Sequence, residues 1–309
     1  MNTTFSILIP AYKATFLYEC IKSVLQQDYS NFEIIILNDC SPEPIDEIVH
    51  SFSDNRIRYF KNEYNVGAID VVDNWNKCLS MARGDYVICM GDDDCLTQDC
   101  LQTYAHLINE NPGIGLLHGW TEIIDEQSHT IELTTQRCLH ESAISLLWHR
   151  WNAYHLQFIG DFCFDRKWLN SQKGFFKLPL AWMSDDITAI IGANKNGVVN
   201  TQNIVFRYRR NRQTISSIGN IKKKMEAFVL GEKWYREYLK RPTTTENDEL
   251  YLKMIAREID KHCDKGKAAL IAADLKSRNI LSLLYWLFFR KKYALTKRCF
   301  IYSLLYLFR

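Results

Sequence analysis

Hydrophobic positions recur along this chain in two rhythms. Short, mostly apolar and β-rich runs at residues 5–9, 32–37, 56–60 and 86–90 are bounded by turn residues. They are too short for helices, which predicts strands covered on both faces. Between them, apolar residues return every three or four positions. Over 14–26, Leu17, Cys20, Ile21, Val24 and Leu25 share one helical face, and further helices are predicted over 45–52 and 68–81. This alternation predicts βαβ units and a mostly parallel sheet, whose right-handed crossovers bring the polar strand ends to one edge.

Further along, a helix over 97–109 stops at Asn111-Pro112-Gly113, and a strand over 115–124 carries His118 and Trp120. The pattern weakens over 125–155, where a helix over 141–149 precedes an aromatic loop with Trp151, Tyr154 and His155. A strand is predicted over 157–164 and β structure over 197–209. Between them, Ser184 opens a helix to about 194 with Asp185 and Asp186 in its first turn. From 221 onward only helices are predicted, over 221–240, 247–263, 267–277, 280–289 and 299–308. The last two are strongly apolar and flanked by Arg290, Lys291, Lys292, Lys297, Arg298 and Arg309, with no acidic residue after Asp274. Such a hairpin either lies in the interface of an anionic membrane or packs on the α/β body.

With 309 residues, 47% of them hydrophobic, the chain can bury a substantial core in one large domain or two unequal ones. A net charge of +2 gives no sign of nucleic-acid binding. The ten cysteines are scattered without CxxC pairs, which reads as reduced thiols in a cytoplasm. The N-terminus enters a strand without a basic region and apolar leader, and no apolar run reaches the roughly 18 residues that span a bilayer. The expectation is a cytoplasmic protein that is not integral to a membrane.

The strongest chemical signal is Gly91-Asp92-Asp93-Asp94, directly after the run 86–90. Ligands of open α/β sheets bind at the carboxyl ends of strands, and adjacent carboxylates repel one another unless a cation or a donor-rich ligand is present. A divalent metal carrying phosphates accounts for the cluster, and oxygen-only ligation suits Mg²⁺ or Mn²⁺. The competing account is a solvated acidic turn before the next helix. Asn38-Asp39-Cys40-Ser41 ends the second run and would share the same crevice.

In order and spacing these elements resemble inverting glycosyltransferases of family 2, which have the GT-A fold, over residues 4–216. The resemblance rests on Ile9-Pro10-Ala11-Tyr12, Asn38-Asp39-Cys40-Ser41, Asn65-Val66-Gly67, Ala82-Arg83-Gly84-Asp85-Tyr86, the acidic cluster, Asp185-Asp186, and Tyr208-Arg209 with Ser216. It implies a GT-A domain over 1–216, with a nucleotide-sugar half to about 115 and an acceptor half beyond, followed by a helical region over 217–309. By the same resemblance, Pro10, Ala11 and Tyr12 support the nucleotide with Asn65 and Gly67, and Asp39 accepts a hydrogen bond from a uracil imide. Asp92 faces the ribose, Asp93 is the main metal ligand and Asp94 lies beside it. Asp186, or else Asp185, is the base that deprotonates the acceptor hydroxyl; capping a helix is the alternative role for both. Departures are Asn38 and Gly91, where the family carries acids, and Lys13, where Asn is common.

Arg207, Arg209, Arg210 and Arg212 have guanidinium forks that suit a diphosphate, or else form an exposed basic strand end. Trp120, Trp151, Tyr154 and Trp182 are candidates for stacking on sugars, and His118, His140 and His155 read as surface or core residues. The function expected from the resemblance is transfer of a sugar, from a UDP-sugar by preference, to a glycan or undecaprenyl-linked acceptor in bacterial surface-polysaccharide assembly. Peripheral contact with the inner membrane face accompanies that expectation. A nucleotidyltransferase and a non-catalytic nucleotide- or glycan-binding protein are the alternatives. Against the first, Pro10-Ala11-Tyr12-Lys13 lacks a glycine-rich phosphate loop.

Overall fold

The computed structural model describes residues 3–211, 220–243, 245–278 and 282–307. The chain divides into two compact units, Met1–Lys177 with Ser184–Arg212, and Leu178–Met183 with Gln213–Arg309.

The first unit is a mixed, mostly parallel sheet flanked by helices. Its parallel half comprises β1 (Phe5–Ala11), β2 (Phe32–Asn38), β3 (Ile57–Lys61) and β4 (Tyr86–Cys89), in the spatial order β3-β2-β1-β4. Both faces are covered. Ile7, Ile9, Ile34, Ile36 and Ile88 pack with Leu17, Cys20, Ile21 and Val24 of α1 (Leu17–Leu25). The alternate positions Leu8, Ile35, Leu37, Val87 and Cys89 are equally buried, as are Val72, Trp75, Cys78 and Leu79 of α3 (Val71–Met81), which contacts β1 and β2. Two covered faces are why β1, β2 and β4 read as mostly apolar runs, whereas β3 at the sheet edge carries Arg58 and Lys61. Each fully buried Ile or Leu contributes about 1.5–3 kcal/mol. Between β2 and β3 lies α2 (Ile45–His50).

The sheet continues through β5 (Cys95–Leu96), β6 (Leu116–Ile124), β9 (Phe162–Asp165) and β10 (Val198–Arg209) in the order β4-β9-β6-β10-β5, with β7 (Thr130–Leu133) on β6 and β8 (His140–Glu141) on β10. Here β9 runs antiparallel to β4 and β6, whereas β6 and β10 are parallel. The predicted strand over 157–164 starts late: residues Ile159–Asp161 form a 3-10 turn and only Phe162 onward joins the sheet. The unit is completed by α4 (Cys100–Glu110), α5 (Ala143–Trp151), α6 (Arg166–Ser171) and α7 (Ser184–Ala193).

The second unit is helical: α8 (Ile221–Tyr238), α9 (Glu246–Arg278), α10 (Ser282–Phe288) and α11 (Lys297–Leu307). Its core gathers Met225, Ile271, Leu275, Trp286, Tyr293 and Cys299. The two helices predicted over 247–277 are one continuous helix of 33 residues. Gly266 sits where a Cβ would lie 2.3 Å from the Phe228 ring, so its role is close packing. Among the described residues no helix is long and apolar enough to cross a membrane.

Candidate functional site

The carboxyl ends of β1, β2 and β4 meet at one edge, and backbone amides fix the acidic residues there. Asp92, just beyond β4, is buried and its Oδ2 accepts from the N–H groups of Tyr12 and Lys13, each at 2.7 Å. Pro10 and Ala11 end β1 immediately before them. Asp39 is buried too. Its Oδ1 accepts from Asn62 at 2.8 Å and from the N–H of Val66 at 2.9 Å, and its Oδ2 from the N–H of Gly67 at 3.2 Å. Asn65 donates to the Asp39 carbonyl at 2.9 Å. The Asn65-Val66-Gly67 turn, with Gly67 at φ +80°, is thus wrapped around Asp39.

Asp93 and Asp94 converge over Gly91. A Cβ on Gly91 would lie 2.6 Å from Asp93 Oδ1 and 3.0 Å from Asp94 Oδ2, so the missing side chain leaves a cradle edged by two carboxylate oxygens. Asp93 Oδ2 accepts from Asn211 at 2.5 Å, and Asp94 Oδ1 from the N–H of Arg209 at 3.0 Å. Burial, followed by the charge of Asp93, pushes Asp92 up to about 6 and holds Asp94 well above the usual carboxylate range. Carboxylates pressed together at such cost suit a divalent cation, and this all-oxygen donor set around a small cradle fits Mg²⁺ or Mn²⁺.

Arg209 is a correction to the expected phosphate clamp. Its side chain is fully buried, its Nε donates to the Asp93 carbonyl at 2.9 Å, and its Nη1 donates to the Asp125 carbonyl and the Ser128 hydroxyl. Its Nη2 pairs with Glu19 at 2.8 Å and its guanidinium lies 4.4 Å from the Phe16 ring centroid. The pairing of β10 with β6 and β5 turns this side chain inward, where it braces the acidic loop from behind. Arg207 pairs with Glu122 and Arg210 with Glu132. Arg212 and Ser216 lie outside the described residues.

Asp185 and Asp186 occupy the first turn of α7. Asp186 Oδ1 accepts from Arg150 Nε at 2.7 Å and from Gln157 Nε2 at 2.8 Å. Asp185 receives no side-chain hydrogen bond among the described residues, only the backbone N–H of Asp186, and burial together with the charge of Asp186 pushes it up to about 7. Tyr208 connects the two acidic groups electrostatically: burial and the charges of Asp94, Asp93 and Asp185 push its phenol up to about 12. Its ring stacks on Phe158 with centroids 3.7 Å apart.

Behind Asp186 lies a buried polar cluster that periodicity did not reveal. Arg137 Nη2 donates to Gln157 Oε1 at 3.3 Å, and His118 Nε2 lies 3.5 Å from Asp161 Oδ2. Glu141, His149 and His155 bring ligand atoms within 4.8 Å of one another. Burial holds His155 down to about 3 and lifts Asp161 to about 8. Sequence reading passed over Arg150, Gln157 and Arg137 because no local motif contains them. The only signal was an unusual density of polar residues in a stretch of weak pattern.

The sequence pattern described as Glycosyl transferase family 2 matches residues 6–173. A putative colanic acid biosynthesis glycosyl transferase of Escherichia coli strain K12 is 39% identical over 109 residues, 34% of this chain and 38% of that protein. The chain thus aligns with well under two thirds of that relative's length. The E. coli UDP-Glc:alpha-D-GlcNAc-diphosphoundecaprenol beta-1,3-glucosyltransferase WfgD is 27% identical over 74% of this chain and 85% of its own. Among solved structures, S. aureus TarS 1-349 in complex with UDP-GlcNAc superposes with a TM-score of 0.66 at 16% identity, covering 87% of this chain and 81% of that one. This likeness concerns the fold.

Proposed function

Because the chain belongs to glycosyltransferase family 2, we propose that it transfers a sugar from a UDP-sugar to a lipid-linked glycan acceptor in bacterial surface-polysaccharide assembly, with inversion and with a divalent metal. The observation that carries this reading is the convergence of Asp93 Oδ1 and Asp94 Oδ2 over Gly91 at the same sheet edge as Asp39, Pro10, Ala11 and Tyr12. UDP as the carrier, and a lipid diphosphate as the acceptor's anchor, are supported by the names of the WfgD and TarS comparisons.

In this reading, Asp93 and Asp94 hold Mg²⁺ or Mn²⁺, which when bound neutralises the diphosphate and makes it a better leaving group. The amides of Tyr12 and Lys13, fixed by Asp92, shape the wall beside the nucleotide. Asp39 faces the base with the oxygen that carries the single, longer bond from Gly67. Asn62, Val66 and Gly67 hold that carboxylate in place, and Asn65 holds the Asp39 carbonyl. An aspartate of α7 takes the proton of the acceptor hydroxyl as that oxygen attacks the anomeric carbon from the face opposite the diphosphate, which inverts the configuration.

Peripheral membrane contact belongs to the same proposal. Leu284, Leu287 and Phe288 on α10 and Ile301, Leu304 and Leu305 on α11 are exposed, Phe288 by 81%. Arg290, Lys291, Lys297 and Arg298 beside them are exposed and form no ion pair among the described residues. An apolar face rimmed by unpaired cations suits an anionic bilayer surface.

Calorimetric titration of UDP, GDP, CDP and dTDP with and without Mn²⁺, on wild type and Asp93→Ala, tests the donor site. Metal-dependent UDP binding that disappears in the variant is the expected result; binding of no nucleotide under any condition would overturn the reading. Sedimentation with phosphatidylglycerol vesicles tests the membrane part. Phe288→Ser with Leu284→Ser is expected to abolish it, and equal binding by this variant and wild type would refute it.

A further inference from the structure

We infer that Arg150 and Gln157 are positioning residues that single out Asp186, and not its neighbour Asp185, as the group that takes the acceptor's proton. The inference rests on the transferase reading and deepens it. Both donors reach the same atom, Asp186 Oδ1, at 2.7 Å from Arg150 Nε and 2.8 Å from Gln157 Nε2. The second carboxylate oxygen, Oδ2, has no hydrogen bond among the described residues. One oxygen is therefore saturated and the other is left bare on a side chain whose rotation is blocked.

Gln157 is itself oriented. Its Oε1 accepts from Arg137 Nη2 at 3.3 Å, and the same Nη2 donates to the Leu156 carbonyl at 3.0 Å. Arg137 is buried, so a flipped carboxamide would aim its NH₂ at a guanidinium and its oxygen at a carboxylate, losing both bonds. The relay from Arg137 through Gln157 to Asp186 consequently has one satisfied orientation. Asp185 has no such donors.

Charge acts in the same direction. Arg150 reaches Asp186 from α5, and Arg137 acts on it from the segment before β8. Asp185 faces the carboxyl groups of Asp186 and Asp161, the phenol of Tyr208 on β10 and the same Arg150 guanidinium. Arg150 therefore lies near both carboxylates, but its Nε hydrogen bond goes to Asp186. In the step itself, the acceptor O–H bond breaks and its proton moves to Asp186 Oδ2. The freed oxygen pair forms the bond to the anomeric carbon as the carbon–oxygen bond to the diphosphate breaks, its electron pair leaving with the diphosphate.

The test uses the full chain with Mn²⁺ and follows UDP release from UDP-glucose, UDP-galactose and UDP-GlcNAc, water serving as acceptor, from pH 5 to 9. Asp186→Asn is expected to lower kcat by about 10²–10⁴-fold, whereas Asp185→Asn stays within about tenfold of wild type. Arg150→Ala and Gln157→Ala should lower kcat by about 10–100-fold with KM for the donor unchanged, and Arg150→Lys should recover part of the loss. UDP affinity should be unchanged throughout. Arg150 is partly exposed, and a thermal melt verifies the fold of each variant. An unchanged kcat in folded Arg150→Ala and Gln157→Ala, or loss of turnover in Asp185→Asn but not in Asp186→Asn, would overturn the inference. Failure of the wild-type chain to release UDP from any of the three donors would refute the transferase reading beneath it.

Discussion

Adding one methyl group at Gly91 is expected to weaken metal binding without unfolding the protein. The Cβ of Gly91→Ala would sit 2.6 Å from Asp93 Oδ1, and real Cβ contacts do not fall below 3.0 Å, so the carboxylate must retreat by at least about 0.4 Å. Its other oxygen is held by Asn211, which limits the directions open to it. Metal sites tolerate ligand displacements of only about 0.2 Å, so the retreat detunes Asp93 and crowds Asp94 Oδ2 as well. A disturbance of this size next to a metal lowers affinity by about 10–100-fold, which is about 1.4–2.7 kcal/mol. The fold should lose about 1 kcal/mol or less, because the atoms in the way are ends of side chains and Gly91 does not have positive φ. The assay is Mn²⁺ titration calorimetry in the presence of UDP, with a thermal melt as the control and Asp93→Asn as a second variant. A folded Gly91→Ala protein with Mn²⁺ affinity within twofold of wild type would refute the cradle.

Two further perturbations probe the surroundings of the site. Arg209→Met removes a buried cation from Glu19, Ser128 and the carbonyls of Asp93 and Asp125. Glu19 is 43% exposed and stays solvated, so the cost is that of carbonyls left without their donor, about 1–3 kcal/mol, readable by urea unfolding, and a loss under about 1 kcal/mol would contradict the brace. Asp161, lifted to about 8 by burial, keeps in the folded state a proton that the unfolded chain releases near pH 4. Its contribution to stability therefore falls as pH rises from about 4 to 8. Asp161→Asn should flatten that decline, and unfolding free energies measured between pH 5 and 8 that decline equally in both proteins would exclude the assignment.

Much of the fold was legible because it is local chemistry. The runs at 5–9, 32–37 and 86–90 are β1, β2 and β4, since a strand buried on both faces has few polar positions, here only Ser6 and Glu33. The 14–26 stripe is α1 for the complementary reason. The acidic cluster was found at a strand end because the turn that carries it follows an unmistakable strand. The strands β7 and β8 stayed hidden: β7 is exposed along its length and β8 has two residues, so neither leaves a period to read.

By itself, then, the sequence determined the first strands and helices, the parallel half-sheet, the family and the place of the acidic clusters along the chain. Tertiary structure decided what those carboxylates touch. Arg209 meets Asp93 across 116 residues and Arg150 meets Asp186 across 36. Whether an arginine near a strand end faces a ligand or a glutamate of the neighbouring helix depends on which strand pairs beside it, and in what register. Spacing along the chain records periodicity and turns; it does not record which distant segments meet, and the tertiary fold turned Arg209 inward and brought Gln157 to Asp186.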